Sequence, residues 1–166
     1  YFYYWYDLPD GPHSGALTDH PVDYSASYRD VDWMRKQLVD MDTAGIDAAL
    51  AVYWGAEEPS SDVGLENMVK AATALRSEGR TAPRIGLFLD TGLIGRWPES
   101  DRDLRDDDNR ERVYQLVKKF YTTVPRDQWL LIEGRPVLWL WGSWLHIRFD
   151  QGFFDYVSHR FQEEFQ

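Results

Sequence analysis

Apolar and polar positions along the chain follow two alternating spacings. Short runs that are apolar at nearly every position, Phe2 to Tyr6, Ile46 to Tyr53 and Arg84 to Leu89, read as buried strands. Between them the apolar residues recur every three or four positions, which is helical spacing. Met34, Leu38 and Met41 share one face of a helix that Asp30 can cap and Gly45 ends. Leu65, Met68, Val69, Ala72 and Leu75 predict a second helix from about Leu65 to Glu78, stopped by Gly79. Val113, Leu116, Val117, Phe120 and Val124 turn inward on a third, from Asp107 to Val124, before Pro125. Trp129 to Ile132 and Pro136 to Trp141 flank a Glu133-Gly134-Arg135 turn, and the second run is the fourth strand. Asp150 then caps a helix expected to bury Phe153, Phe154, Val157 and Phe161.

Strands that alternate with helices of this length predict βαβ units and a parallel α/β sheet. The connections sharpen that expectation. Helix-to-strand links are short, Gly45 in one case and Gly79 to Pro83 in the next. Strand-to-helix links are long: Asp7 to Arg29, Trp54 to Gly64, and Asp90 to Asp106. In (β/α) barrels the loops at the C-terminal strand ends build the functional face, while the opposite face is kept tight. A complete eight-fold barrel takes about 250 residues. The 166 residues are therefore expected to form a single domain, the N-terminal half of a (β/α)8 TIM-type barrel with about four βα units, cut at both ends. A doubly wound sheet competes with this reading, but no Gly-rich phosphate fingerprint follows any strand, and Gly92 and Gly95 lack its spacing. Half a barrel would leave its first and fourth strands as open edges, so the isolated chain is expected to aggregate or dimerise.

Composition changes this picture in two ways. Eight Trp, ten Tyr and eight Phe make up 16% of the residues, more than a core of this size needs. The formal net charge of -10 disfavours nucleic acid and anionic membrane surfaces as partners, since such binding draws on clustered Lys and Arg. An acidic surface rich in aromatics suits neutral polar ligands, of which sugars are the commonest class. The absence of Cys excludes disulfides, thiolate metal sites and Cys nucleophiles. No stretch approaches the roughly 20 apolar residues that span a bilayer.

Chemistry concentrates where the strands end: Trp5-Tyr6-Asp7, Tyr53-Trp54-Gly55, Leu89-Asp90-Thr91 and Trp139-Leu140-Trp141. Flat aromatics can cover the C–H face of a sugar while carboxylates accept hydrogen bonds from its hydroxyl rim. The bland alternative is that the aromatics fill and cap the barrel. Asp90 is the candidate catalytic carboxylate, with backbone capping as its competing role, and Asp7 has the same ambiguity. Substrate-binding candidates are Tyr4, Tyr6, Asp7, His20, Tyr53, Trp54 and Trp141. Glu57 and Glu58 read as solvated loop acids, and Glu133 lies in a turn away from the functional end. His13, His146 and His159 lack metal-ligand spacing, so no metal and no cofactor is expected. The acids Asp101, Asp103, Asp106, Asp107 and Asp108 lack the central Gly and closing Glu of a calcium loop and favour a helix N-terminus instead. No Ser sits in a Gly-x-Ser-x-Gly elbow.

Four segments in this order resemble glycoside hydrolase family 99, the endo-α-mannosidase-like barrels, and bacterial relatives of that group. They are Tyr3-Tyr4-Trp5-Tyr6, Ala44-Gly45-Ile46-Asp47 with Val52-Tyr53-Trp54-Gly55, Ile85 to Asp90, and Glu133-Gly134-Arg135-Pro136-Val137. The resemblance implies a secreted or periplasmic glycoside hydrolase acting on a polysaccharide or glycan. Tyr4 or Tyr6, Trp54 and Trp141 would line its sugar subsites, and Asp90 would stand in place of a substrate-contacting residue on the third strand. The group's Glu-Trp-x-Glu catalytic motif has no counterpart here, and Glu163-Glu164 lies in the wrong context. Acid-catalysed glycoside hydrolysis generally needs two carboxyl groups roughly 5 to 9.5 Å apart. The catalytic carboxylates are thus expected outside this chain, and its partner is the remainder of its own barrel. A catalytically silent carbohydrate-binding barrel is the alternative. A metal-dependent esterase or deacetylase built on His20 and Asp90 is a third reading.

Overall fold

The computed structural model describes residues 1–7, 26–55, 59–142 and 147–165. Four strands form one parallel sheet in the order β1-β2-β3-β6. They are β1 (Phe2–Tyr3), β2 (Ala48–Tyr53), β3 (Arg84–Asp90) and β6 (Leu138–Trp141). The helices are α1 (Val31–Thr43), α2 (Pro59–Ser77), α3 (Asp107–Thr123) and α4 (Gln151–Phe165). Between α3 and β6 lies a small hairpin, β4 (Leu131–Ile132) and β5 (Arg135–Pro136), antiparallel.

The α/β class and parallel sheet expected from the pattern are present, and the element boundaries carry corrections. The first apolar run contributes only Phe2 and Tyr3 to the ladder. The second strand begins at Ala48 rather than Ile46: Ala48 is paired with Arg84, whose N–H bonds the Asp47 carbonyl at 2.8 Å as the first bond of the ladder. Helix α2 starts six residues before Leu65. Its first turn is Pro59-Ser60-Ser61, and Pro costs nothing where the N–H would have no helical partner. The buried side chains of that turn are hydroxyls, invisible to an apolar count. The fourth strand divides after Pro136: Glu133 (φ 52°) and Gly134 (φ 76°) make a hairpin turn, with two left-handed residues as tight two-residue hairpins require. The cap expected at Asp30 is present, and α3 has one at Asp106 that the pattern did not single out. Asp30 accepts from Asp32 N–H at 2.8 Å, and Asp106 accepts from Asp108 N–H at 3.0 Å.

One face of the sheet carries the main core. Tyr3, Trp5, Ala49, Ala51, Tyr53, Ile85, Leu87 and Leu89 cluster with buried residues of all four helices, among them Leu38, Met68, Val117 and Phe153. Val52 and Phe88 are equally buried but stand outside that cluster, on the opposite face. Residues alternate between faces along a strand. The helices therefore lie on one side, and the other side presents Phe2, Tyr4, Leu50, Val52, Trp54, Gly86, Phe88, Asp90, Trp139 and Trp141. Of the residues expected inward on the last helix, Phe153, Val157 and Phe161 are buried, whereas Phe154 is 38% exposed. Phe154 falls one position past Phe153, about 100° round the helix, and so leaves the core stripe.

Candidate functional site

The aromatic residues of the helix-free face form two tiers. At the N-terminal end Phe2 packs edge-on against Phe88 (centroids 4.9 Å) and near Trp139 (5.6 Å). Gly86 lets this tier close, since a Cβ there would lie 2.7 Å from Leu50 Cδ2 and 2.9 Å from Leu130 Cδ2. In this lower tier the rings pack against one another, with Phe2 and Trp139 still partly exposed.

The upper tier, at the C-terminal strand ends, carries the chemistry. Trp54 donates its indole N–H to Asp90 Oδ2 at 2.9 Å, and Gly92 N–H donates to Asp90 Oδ1 at 2.9 Å. Both carboxylate oxygens are thereby aimed by neutral donors, with lone pairs left for a ligand. Tyr4 lies beside this pair, its ring 6.2 Å from that of Trp54. Burial, and then the negative charge of Asp90, hold the Tyr4 phenol above its ordinary pKa, so it stays a neutral donor. Trp141 pairs with Asp90 in the ladder and stacks on Phe88 at 6.0 Å with 47% of its surface exposed. The four side chains Tyr4, Trp54, Asp90 and Trp141 come together.

The other candidates do not join them. Tyr53 points to the helix side, fully buried, and gives its hydroxyl to Asp62 at 2.8 Å. Burial and that hydrogen bond raise its pKa. Period-two alternation explains the split: Trp54 and Tyr53 are neighbours in sequence and opposites in space. Asp7 is held by Ser27 Oγ at 2.7 Å and Arg29 Nε at 2.9 Å, which keep its carboxyl below the ordinary value and tie the first strand to the approach of α1. Tyr6 is half-buried and its carbonyl accepts from Tyr28 N–H at 2.7 Å. His20, His13 and His146, like Glu57 and Glu58, lie outside the described residues.

Sequence reasoning missed Thr91. Its hydroxyl donates to the Trp141 carbonyl at 2.6 Å and its N–H to the same oxygen at 3.0 Å, locking β6 to β3 directly beneath the site. A small polar residue one step past a strand carries no distinguishing signal. Also unforeseen is the joining of the loops after β3 and β6. Leu104 N–H bonds Arg148 O at 2.7 Å, and Arg148 N–H bonds Arg102 O at 2.9 Å.

Arg105 clamps Asp103 beside that junction, at 2.8 Å and 2.5 Å, and these hydrogen bonds lower the Asp103 pKa from 3.8 to about 2. A depressed carboxylate contributes stability that is complete above its unfolded value and lost as pH falls through the folded one. The loop junction should accordingly loosen between pH 3.8 and about 2. Carboxyl carbon shifts of Asp103, followed with the Leu104 and Arg148 amides, would show this. If those amides respond identically in Asp103→Asn, the clamp has no such part.

A family model for a domain of unknown function, DUF5010, matches residues 10–166. The chain belongs to the DUF5010 family. The match spans β2, β3, β6 and every helix of the DUF5010 chain, together with Trp54, Asp90 and Trp141. No curated protein and no solved structure matches it. Among the described residues no group of three or more His, Cys, Asp or Glu is placed to hold a metal ion. No described helix is long and apolar enough to cross a membrane.

Proposed function

We propose that this DUF5010 chain is a four-unit sector of a (β/α)8 barrel from a secreted or periplasmic carbohydrate-active protein. It binds a neutral glycan at the C-terminal ends of its strands. The observation that carries the reading is the Trp54–Asp90 hydrogen bond at 2.9 Å, on the helix-free face beside Tyr4 and Trp141. Barrel closure is supported by sequential strand order without reversal and, among the described residues, by helices on one face alone. A doubly wound sheet needs helices on both faces and a switch point in the order. The motif likeness to glycoside hydrolase family 99 supports the ligand class.

In this reading Trp54 and Trp141 lie against the C–H faces of sugar rings, Asp90 accepts from ring hydroxyls, and Tyr4 donates. Glycoside hydrolysis is the activity, with the acid pair supplied by the rest of the barrel. A silent binding barrel is the second reading. It is favoured by a specific observation: among the described residues Asp90 is the one carboxylate on the strands of the helix-free face, and two carboxyl groups are generally required. Incubating the complete protein that carries this sector with a panel of neutral polysaccharides tests both. Release of reducing ends supports the hydrolase, and saturable binding without release supports the silent barrel. Neither binding nor release would sink the carbohydrate reading.

A further inference from the structure

Charge at the upper tier is unbalanced. Asp90 is hydrogen-bonded by Trp54 Nε1 and Gly92 N, and both donors are neutral. Among the described residues, which include all 18 Lys and Arg of the chain, none forms an ion pair with it. Arg29, Arg102 and Arg105, all in strand-end loops, are engaged instead with Asp7, the Trp97 carbonyl and Asp103. Arg84 shares the helix-free face of β3 but stands six positions before Asp90. That is about 20 Å along a strand, beyond the roughly 8 Å over which exposed charges interact at physiological salt.

Rings surround this carboxylate. Trp141 is its ladder partner on β6, and Trp54 follows Tyr53, the partner of Leu89 on β2. The two indoles therefore flank Asp90 on the neighbouring strands, each about 4.8 Å away across the sheet. Tyr4 lies 6.2 Å from the Trp54 ring and 6.4 Å from Phe88, and adds a third wall. Aromatic faces carry the negative part of a quadrupole and attract a cation within about 6 Å of the ring centroid. Gly92 keeps Oδ1 approachable, since a Cβ there would lie only 3.0 Å from it.

A sugar hydroxyl satisfies the lone pairs of Asp90 and leaves its charge unanswered. An ammonium group does both, with three donors on one atom. Hydrogen bonds between charged groups are roughly twice as strong as neutral ones, and the ring faces favour the same positive charge.

We propose that the ring held at Asp90 is an amino sugar with a free ammonium group, inside a glycan whose other rings are neutral. The ammonium donates to the lone pairs of Asp90 that Trp54 and Gly92 leave open, between the indoles of Trp54 and Trp141. An N-acetyl group in its place removes the positive charge and adds bulk. This inference rests on the sugar-site reading and narrows it to one substituent. It holds equally for a hydrolase and for a silent barrel.

Three β-1,4-linked tetrasaccharides serve as probes, built of glucose, N-acetylglucosamine and glucosamine, so that only the 2-substituent changes. Calorimetric titration of the complete protein at about pH 6.5, below the usual range of amino groups, should rank them. The glucosamine form should bind about tenfold more tightly than either of the others, and added salt should narrow the gap. In Asp90→Asn, which keeps the shape and removes the charge, the gap should close. Raising the pH through the titration of the amine should close it in the unaltered protein too, with glucose-tetramer affinity constant. The net charge of -10 attracts any cation at long range, so trilysine is the control and should bind at least about tenfold more weakly than the glucosamine form.

Equal affinities of the unaltered protein for the three sugars would overturn the proposal. So would a preference that survives Asp90→Asn, or trilysine matching the glucosamine form. If none of the three sugars binds, the amino-sugar proposal falls, and the carbohydrate reading is judged by the neutral panel alone. Binding of the glucose form without an amine preference leaves the sugar site standing and removes only its charge selectivity.

Discussion

Gly64→Ala is expected to destabilise the chain by about 2 kcal/mol, although in an exposed helix the same change is worth about 1 kcal/mol in the opposite direction. The ring of Trp5 lies flat on α2 at this position. A Cβ on Gly64 would sit 2.3 Å from Trp5 Cε3 and 2.6 Å from its Cδ2. Trp5 has no room to retreat. It is fully buried, its indole N–H is bonded to the Val52 carbonyl at 2.7 Å, and its ring meets Tyr3 edge-on at 5.4 Å. Relief has to come from moving α2 off the sheet, which opens the core around it. Urea unfolding of Gly64→Ala, Trp5→Leu and the double variant measures this. The two changes should be non-additive, the double variant being more stable than the sum of the single losses implies. A Gly64→Ala chain more stable than the parent would show that α2 adjusts freely.

The second large effect concerns the ligand. Trp54→Ala should weaken the proposed glycan binding by roughly 100-fold, since removing an aromatic anchor from a binding site commonly costs ~2–3 kcal/mol. Two losses combine there. The face proposed to cover a sugar ring disappears, and Asp90 loses the donor that aims its Oδ2. Trp54→Phe separates them, keeping a ring and removing the N–H, and should fall between the parent and the alanine variant. Tyr53→Phe is the internal control: its hydroxyl is spent on Asp62 on the helix side, so affinity should hold while stability drops. Calorimetric titration against whichever glycan the panel identifies gives the ranking. Equal affinities for the parent and Trp54→Ala would remove the upper tier from the binding site.

Much of the architecture was legible because its causes are local. Asp30 caps where its short side chain reaches the next amides, and Gly45 and Gly79, both at positive φ, mark helix ends that other residues resist. Apolar periodicity located α1, α3 and β3 within a residue or two, because one buried face imposes one spacing. The misses follow from the same reasoning. The first turn of α2 buries serines, which no hydrophobic pattern registers. Phe154 looks like core by composition, and only its place round the helix decides otherwise.

The candidate site divides along the same line. The residues at strand ends, including Trp54, Asp90 and Trp141, were visible in the sequence because strand-to-helix order fixes which end carries the long loops. Which of them meet was decided by the tertiary structure. Alternation sends Tyr53 and Trp54 to opposite faces, but the hydrogen bond between Trp54 and Asp90 exists only because β2 and β3 pair Tyr53 with Leu89 in register. Asp7 shows the converse: a strand-end acid in the sequence becomes a loop anchor once Ser27 and Arg29 fold back on it. Sequence by itself determined the elements, their order and the chemistry available at one end of the sheet, through spacing and short-range hydrogen bonds. Tertiary structure decided the face of each strand-end residue and the partners of Asp7 and Asp90, because these depend on register and on contacts between residues far apart in the chain.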